Sequence, residues 1–470
     1  MSARKRHLLL AAYHFPPMGG SGVQRPLGFA RHLPAAAWRP TVLCAGHEQY
    51  GALDPSLAAE LPASVRVERL AGWEPAGWAR RIARGVRHRR AKLDVAAKAA
   101  GATGERRLYW MLQSSMPDAV VPEPEWLWAQ SARGAARKLV AADRADAVMT
   151  SGGPFSVHLI GLHLQRRMGI PWIADWRDPL VGNFAYAPRR PWIDRYWRRL
   201  ERTIVHRANL HVVTCPEHGE DLKRRYPRLA SNRVMTLTNG YEPHDFSPPL
   251  PARTGPAAAR FTIAHVGSFY RQQSLEPLLE VIRAWIAMRP AQAGAVRLAL
   301  IGTLSAEQRR LIQPQDATFI EERGYVDHAT AVREMRQAEL LYLTAPDSAG
   351  GRLCVPAKSF EYLASGRPIL ATIPGNTWLR GLLERSGGTT FPADQTTAGL
   401  VAALDQCHLR WKKSPHAHWD RSSELESFRR AALAGRLAAA LEEVVKITDA
   451  RDASARRRDR DGELNWEEAA

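Results

Sequence analysis

The sequence predicts an α/β protein built from two doubly wound domains that face a central cleft. Three observations carry this. Short apolar runs alternate with longer amphipathic ones through the first half of the chain. A Pro-, Ala- and Gly-rich stretch without apolar period, FSPPLPARTGPAAAR (246–260), then interrupts the alternation, and the same rhythm restarts beyond it. At 470 residues the chain is also too long for one ordinary core.

In order, RHLLLAAYHF reads as a buried strand, GVQRPLGFARHLPA as a helix and RPTVLCAG as a strand. ADAVMTSG, PWIADWRD and NLHVVTC are further strands, joined by helices over PFSVHLIGLHLQRRMG and RRPWIDRYWRRLERTIVHRA. RVMTLTNGYEPHDF adds a strand and a turn. This is the βαβ pattern of a parallel, Rossmann-like sheet. After the break, FTIAHVGS, VRLALIG, ATFIEERGY, ELLYLTAP and PILATIPG are strands. SLEPLLEVIRAWIAM, AEQRRLIQ, HATAVREMRQA and AKSFEYLASG are the helices between them. The division is therefore a first domain over 1–247, a linker over 248–260 and a second domain over 261–425. A terminal helix over 426–447 follows, read from the amphipathic run ELESFRRAALAGRLAAALEEVVK (424–446). The tail 448–470 mixes charges without an apolar period and is expected to be disordered.

Charge is uneven. The formal net charge is +19; residues 1–250 hold 37 Lys/Arg against 21 Asp/Glu, and the remainder 29 against 26. A one-sided basic field points to an anionic partner, while an Arg- and Ala-rich composition by itself offers a plainer account. WARRIARGVRHRRAKLDVAAK (78–98) has eight basic residues and one acid and reads as a basic amphipathic helix. It suits an anionic lipid surface, a nucleic acid or simple solvation. LYWMLQSSMPDAVVPEPEWLWAQ (108–130) clusters Trp110, Met111, Trp126 and Trp128, as core or as an apolar lip for a lipid-linked substrate. The N-terminal MSARKRHLLLAAYHFPP mimics a signal peptide, but its apolar run is short and PPMGG is a poor cleavage site. No apolar run approaches the ~18–20 residues of a membrane span. The four cysteines are widely separated, make no metal pattern and suit a reducing compartment.

Five loops carry candidate chemistry. YHFPPMGGSGVQRP follows the first strand; its glycines allow close backbone approach to a ligand at a helix start, which favours an anion. It is neither a dinucleotide fingerprint, because Arg25 stands where a third glycine belongs, nor a P-loop, and no NAD-type acid follows the second strand. SGGPFS (151–156) precedes His158, which is either a cleft histidine or a buried one. ADWRDP places Asp175 and Asp178 around Arg177 at a strand end, where charges face a cleft; substrate contact and a catalytic role are expected of the three, with ion pairing through Arg177. TNGYEPHDF brings Asn239 and Gly240 to the hinge. VPAKSFEYLASGRPILATIPG (355–375) sets Lys358 and Glu361 on one helix face, a cation suited to a diphosphate and a carboxylate suited to ribose hydroxyls. Gly267 ends the first strand of the second domain, where a diphosphate would also lie close.

Together YHFPPMGGSG, SGGPFSVHLIG, ADWRDP, TNGYEPHDF, AHVGSFY, RGYVDHATAVREMRQAELLYL and PAKSFEYLASGRPILA, in this order, resemble the retaining nucleotide-sugar glycosyltransferases of family four, with the two-domain GT-B fold. The resemblance implies a sugar nucleotide bound mainly by the second domain. Glu361 matches the glutamate that holds the ribose, and Gly19, Gly20 and Gly22 match the glycine loop that meets the donor across the cleft. It also implies front-face transfer with retention, without metal or other cofactor, by electrostatic stabilisation of the leaving group. The family's first acid falls on Leu353, and its Arg and Lys after the second-domain glycine fall on Ser268 and Gln273. Arg271 and Lys358 are the substitutes available, and His158 is the candidate for the family's sugar-contacting histidine. Members with a basic first half often use lipid-linked acceptors. The expectation is therefore a cytoplasmic enzyme, peripheral on the inner face of the plasma membrane. It would act in cell-surface polysaccharide or glycolipid synthesis, with no nucleic acid as partner. A nucleotide-sugar epimerase of the same fold would need cleft acid/base groups. A nucleic-acid-binding protein would explain the charge, though no reader motif is present.

Overall fold

A computed structural model describes residues 5–46, 53–71, 122–183, 190–250, 260–269, 273–392, 396–415 and 417–467. The basic segment 78–98, most of the 108–130 cluster and Arg271 lie outside the described residues.

The first domain is built on strands β1 (Arg6–Ala12), β2 (Trp38–Ala45), β3 (Arg66–Leu70), β4 (Ala147–Ser151), β5 (Trp172–Trp176), β6 (Leu210–Val213) and β7 (Val234–Thr236). They form one parallel sheet in the order β3-β2-β1-β4-β5-β6-β7. The second domain has β8 (Phe261–Val266), β9 (Val296–Ile301), β10 (Ile320–Gly324), β11 (Leu340–Thr344), β12 (Ile369–Thr372) and β13 (Thr389–Thr390). Its sheet is also parallel, in the order β10-β9-β8-β11-β12-β13. Strand order reverses between β1 and β4 and again between β8 and β11. Loops diverge at these switch points and leave a crevice beyond the carboxyl ends of the strands.

The apolar faces of these sheets are covered on both sides, as parallel sheets require. On one side of the first sheet lie α2 (Trp126–Asp143), α3 (His158–Met168), α4 (Pro191–Arg207) and α5 (Pro216–Arg225), which follow α1 (Ser21–His32) in the chain. On the other side, α1 packs with a helix that arrives from the far end of the chain. The second sheet carries α6 (Glu276–Met288), α7 (His328–Gln337), α8 (Lys358–Ala364), α9 (Thr377–Arg385) and α10 (Thr397–Lys413). The last helix, α11 (Arg430–Glu467), then returns to the first domain. Its Leu433, Leu437, Leu441 and Val445 pack among Leu8, Phe29, Trp38 and Val42.

Two sequence readings need correction. The tail at 448–470, expected to be disordered, is helical in backbone as far as Glu467, as a continuation of α11. Its sequence mixes good helix formers (Ala, Arg) with poor ones (Asp, Gly462) but holds no proline, so it can propagate a helix already nucleated by packing. Strands β3 and β13 and helices α2, α5, α9 and α10 had no counterpart in the reading; β3 is an edge strand with partly exposed residues. No helix among the described residues is long and apolar enough to cross a membrane.

Candidate active site

Between the two sheets lies a cavity of ≈ 520 Å³, lined by both domains. Its first-domain wall includes His14, Gly20 and Gly22 after β1, Gly153 after β4, and Arg177 and Asp178 after β5. Its second-domain wall includes Gly267 and Ser268 after β8, Gly302 after β9, Tyr325 after β10, and Lys358 and Glu361 on α8. Asn239 and Gly240 line it at the hinge.

The first-domain wall has a local logic. Pro26 sits inside α1, so it cannot donate to the carbonyl four residues earlier, at Gly22. Arg177 Nη1 donates to that carbonyl at 2.7 Å instead. A Cβ on Gly22 would lie 3.2 Å from Arg177 Nη2 and 3.2 Å from the His14 ring, so glycine is what lets the guanidinium lie against the helix start. The His14 imidazole is pushed down to about 3 by burial, then by the Arg177 charge, and is neutral. Gly19 stands at the seam, packed directly on the Tyr325 hydroxyl of the second domain.

Asp175 was expected in the cleft, ion-paired through Arg177, and the structure corrects this. Its carboxylate is fully buried and is held by Arg25, whose Nε lies 3.0 Å from both carboxylate oxygens and whose Nη2 lies 2.7 Å from one. Ser151 Oγ donates to it as well, at 2.7 Å, and Arg25 Nη1 donates to the Thr238 carbonyl. Asp175 thus anchors Arg25, which lines the cavity. His158 is also corrected. It is fully buried between Thr150, whose Oγ1 is 2.8 Å from Nδ1, and the Trp172 and Trp176 rings. Burial pushes it down to about 3. The turn at SGGPFS points it into the core, away from the cleft. Asp178 does face the cavity, beside the Cys354 thiol, which burial and then this carboxylate hold well above its ordinary range.

On the second-domain wall, Gly267 adopts φ 113 and Gly302 φ 137, conformations that favour glycine. A Cβ on Gly302 would lie 2.7 Å from the Gly267 carbonyl oxygen, and one on Gly267 would lie 3.2 Å from Lys358 Nζ. The two bare turns therefore stack under the lysine. Burial pushes Lys358 down to about 7, against the opposing pull of Glu361. Glu361 is 3.5 Å from Arg430 Nη2 of the returning helix, and Arg430 Nη1 is 3.9 Å from Glu242. Leu353 ends a short turn outside the cavity lining, and its carbonyl accepts from the Cys215 thiol. Gln273 lines the cavity and donates to the Thr344 carbonyl.

The domains meet through named contacts. Asp54 accepts from the His328 backbone N–H, and His328 Nε2 lies 3.0 Å from Asp245. Glu217 accepts from Trp378 N–H at the start of α9. At the hinge Tyr241 N–H donates to Phe428 O, and Arg430 N–H donates to Tyr241 O. Gly240 packs directly on the Phe428 carbonyl, with no room for a side chain. His14, Arg25, Tyr325, His328 and Arg430 had no role in the sequence reading. His14 and Arg25 lie inside the quoted glycine loop, Tyr325 and His328 inside RGYVDHATAVREMRQAELLYL, and Arg430 inside the terminal amphipathic run, but none was singled out there as a site residue.

No protein-family model and no curated protein sequence matches the chain. Solved structures do. The sucrose-phosphate synthase (tll1590) from Thermosynechococcus elongatus is similar at 15% identity and TM-score 0.57, over 96% of this chain and 100% of that one. An α,α-trehalose-phosphate synthase (UDP-forming) from Burkholderia vietnamiensis is similar at 15% identity and TM-score 0.56, over 94% and 100%. A candidate UDP-N-acetylglucosamine 2-epimerase from Listeria monocytogenes is similar at 12% identity and TM-score 0.52, over 93% and 96%. At these identities the likeness establishes the fold, which is GT-B.

Proposed function

We propose that the chain is a retaining glycosyltransferase that moves a sugar from a nucleotide-sugar donor to a lipid-linked acceptor, without a metal cofactor. The observation that carries the reading is the donor wall, with Lys358 above the paired bare turns at Gly267 and Gly302 and Glu361 one helical turn further on. A diphosphate needs close backbone approach and a cation. A ribose needs an acceptor pair for its hydroxyls, which Glu361 offers.

In the proposed reaction the bond between the sugar C1 and the diphosphate oxygen breaks. The acceptor hydroxyl oxygen bonds to C1 on the same face, and its proton passes to the leaving diphosphate. Lys358, and Arg177 from across the cleft, stabilise the charge that develops on the leaving group. Asp178 takes the place of the acid missing at Leu353. His14, neutral, hydrogen-bonds a sugar hydroxyl without adding charge.

The acceptor side of the reading rests on charge. Trp192, Arg195, Arg199, Arg202 and His206 form one exposed stripe along α4. Like charges three and four apart weaken a helix, and an anionic surface would relieve them. With the 78–98 segment, this stripe supports a peripheral position on anionic lipid at the inner face of the plasma membrane, in cell-surface glycan or glycolipid synthesis. Unchanged binding to anionic liposomes after removal of 78–98 and neutralisation of the stripe would sink the membrane reading.

The test of function is a thermal-shift screen against UDP-, GDP-, ADP- and dTDP-sugars. A ligand at 100 times its dissociation constant stabilises by ~2.7 kcal/mol. Glu361→Ala should lose most of the shift, and a wild-type response would remove Glu361 from the ribose. An epimerase, the second reading the fold admits, would release isomerised sugar nucleotide with no acceptor present.

A further inference from the structure

His265 lies on β8 two residues before Gly267 and is buried. Its Nδ1 is 3.1 Å from the Tyr342 carbonyl oxygen, and its Nε2 is 3.1 Å from Lys358 Nζ. A carbonyl only accepts, so Nδ1 carries the proton. Nε2 of the neutral ring is then an acceptor, and an ammonium, which only donates, fills it. The ring also stacks on Phe269, with centroids 4.2 Å apart and planes 20° apart. It cannot swing away from the lysine.

We propose that His265 is a positioning residue that holds the Lys358 ammonium over the Gly267 turn, ready for the donor diphosphate. The inference rests on the nucleotide-sugar reading above. Lys358 and Glu361, three apart on one helix, would otherwise pair with each other. Instead each has its own partner: His265 from β8 takes the lysine, and Arg430 from α11 takes the glutamate. The cation and the carboxylate are thereby kept apart for different portions of one ligand. A lysine stem is flexible, and a group fixed in advance loses less freedom on binding.

Two substitutions separate the bonds of the ring. His265→Asn retains a donor at the Nδ1 position, toward Tyr342, and loses the acceptor for Lys358. His265→Gln places an amide oxygen near the Nε2 position. The full-length protein is titrated with UDP, GDP, ADP and dTDP from pH 6 to 9, and the tightest binder to wild type is used throughout. His265→Asn should bind about ten-fold more weakly at pH 6.5, and His265→Gln within about three-fold of wild type. Wild-type affinity should fall as pH rises through about 7, as the lysine loses its proton. The charged and titratable groups facing that lysine are His265 and Glu361. His265→Asn should move the fall to lower pH, because the ammonium loses its acceptor, and His265→Gln should leave it in place. On a Lys358→Met background His265→Asn should weaken binding no further. Equal affinities for His265→Asn and wild type, equal damage from both substitutions, or additive loss on the Lys358→Met background would each overturn the proposal. If no nucleoside diphosphate binds wild type, the nucleotide-sugar reading itself fails.

Discussion

Replacing Arg25 by Met tests whether Asp175 is a structural anchor or a reacting group. Asp175 is fully buried, and Arg25 contributes three of its short contacts. Methionine fills much of the stem volume but leaves a buried carboxylate whose remaining side-chain donor is Ser151. Breaking a buried pair by removing one partner costs about 3–5 kcal/mol. For a domain of this size each kcal/mol moves the melting temperature by about 2–4 °C, so a fall of about 6–20 °C is expected. Unfolding of the full chain is followed by tryptophan fluorescence. Trp38, Trp128, Trp172, Trp176 and Trp197 are buried in the first domain and Trp285 in the second, so the first domain dominates the signal. Asp175→Asn leaves a buried guanidinium instead and should also destabilise. The double substitution removes both charges, so its cost should fall at least about 2 kcal/mol short of the sum, as coupled neighbours do. A shift under about 2 °C for Arg25→Met would refute the anchor. So would an Asp175→Asn protein of normal stability with no turnover.

His158→Leu should lower stability by about 1–3 kcal/mol through the lost Thr150 hydrogen bond. It should keep turnover below its melting temperature, and a hundred-fold loss of turnover in a folded variant would return His158 to the chemistry. Gly302→Ala places a Cβ 2.7 Å from the Gly267 carbonyl at φ 137, a strain of about 1–3 kcal/mol. Donor binding should weaken ten-fold or more in the thermal-shift assay. Stability should also depend on pH through the interdomain pair His328–Asp245. Burial opposes the charge on His328, but the hydrogen bond to Asp245 and nearby carboxylates raise it above the ordinary 6.5. Its contribution is full below 6.5 and lost as pH rises through the raised value. Asp245 is buried too, yet held below 3.8 by His328, so its share is present above 3.8 and lost as pH falls through the lowered value. Melting curves from pH 4 to 9 should show the alkaline loss in wild type and lack it in His328→Gln.

Much of this architecture could be read from residues. Runs such as LLLAA and TVLCA are buried on both faces, which makes a parallel strand conspicuous in sequence. Arg66–Leu70 escaped notice because an edge strand with one neighbour and partly exposed residues has a faint apolar pattern. In the site, Lys358, Glu361, Gly267, Gly20, Gly22, Arg177, Asp178, Asn239 and Gly240 all reach the cavity. They lie on loops at strand ends or in the first turn of the helix that follows, a position that sequence order alone reveals. Asp175 and His158 do not reach it, because which way a residue turns at a strand end depends on partners far along the chain. Arg25 is 150 residues from Asp175, and a spacing test for a glycine motif treats it only as a missing glycine. Arg430 meets Glu361 only because the last helix doubles back.

That return has a consequence for biosynthesis. The apolar face made by Leu8, Leu10, Phe29, Val42 and Leu237 is completed by Leu433, Leu437 and Leu441. About 200 residues separate Leu237 from Leu433, and at ~5–20 residues per second a ribosome needs roughly 10–40 s to supply them. For that interval the whole second domain is being made and can fold, while the first stands with an uncovered oily flank. The nascent chain should therefore recruit a chaperone at its oldest segment. A released chain that ends before residue 430, with the second-domain core complete, should be cut by protease in the first domain sooner than in the second.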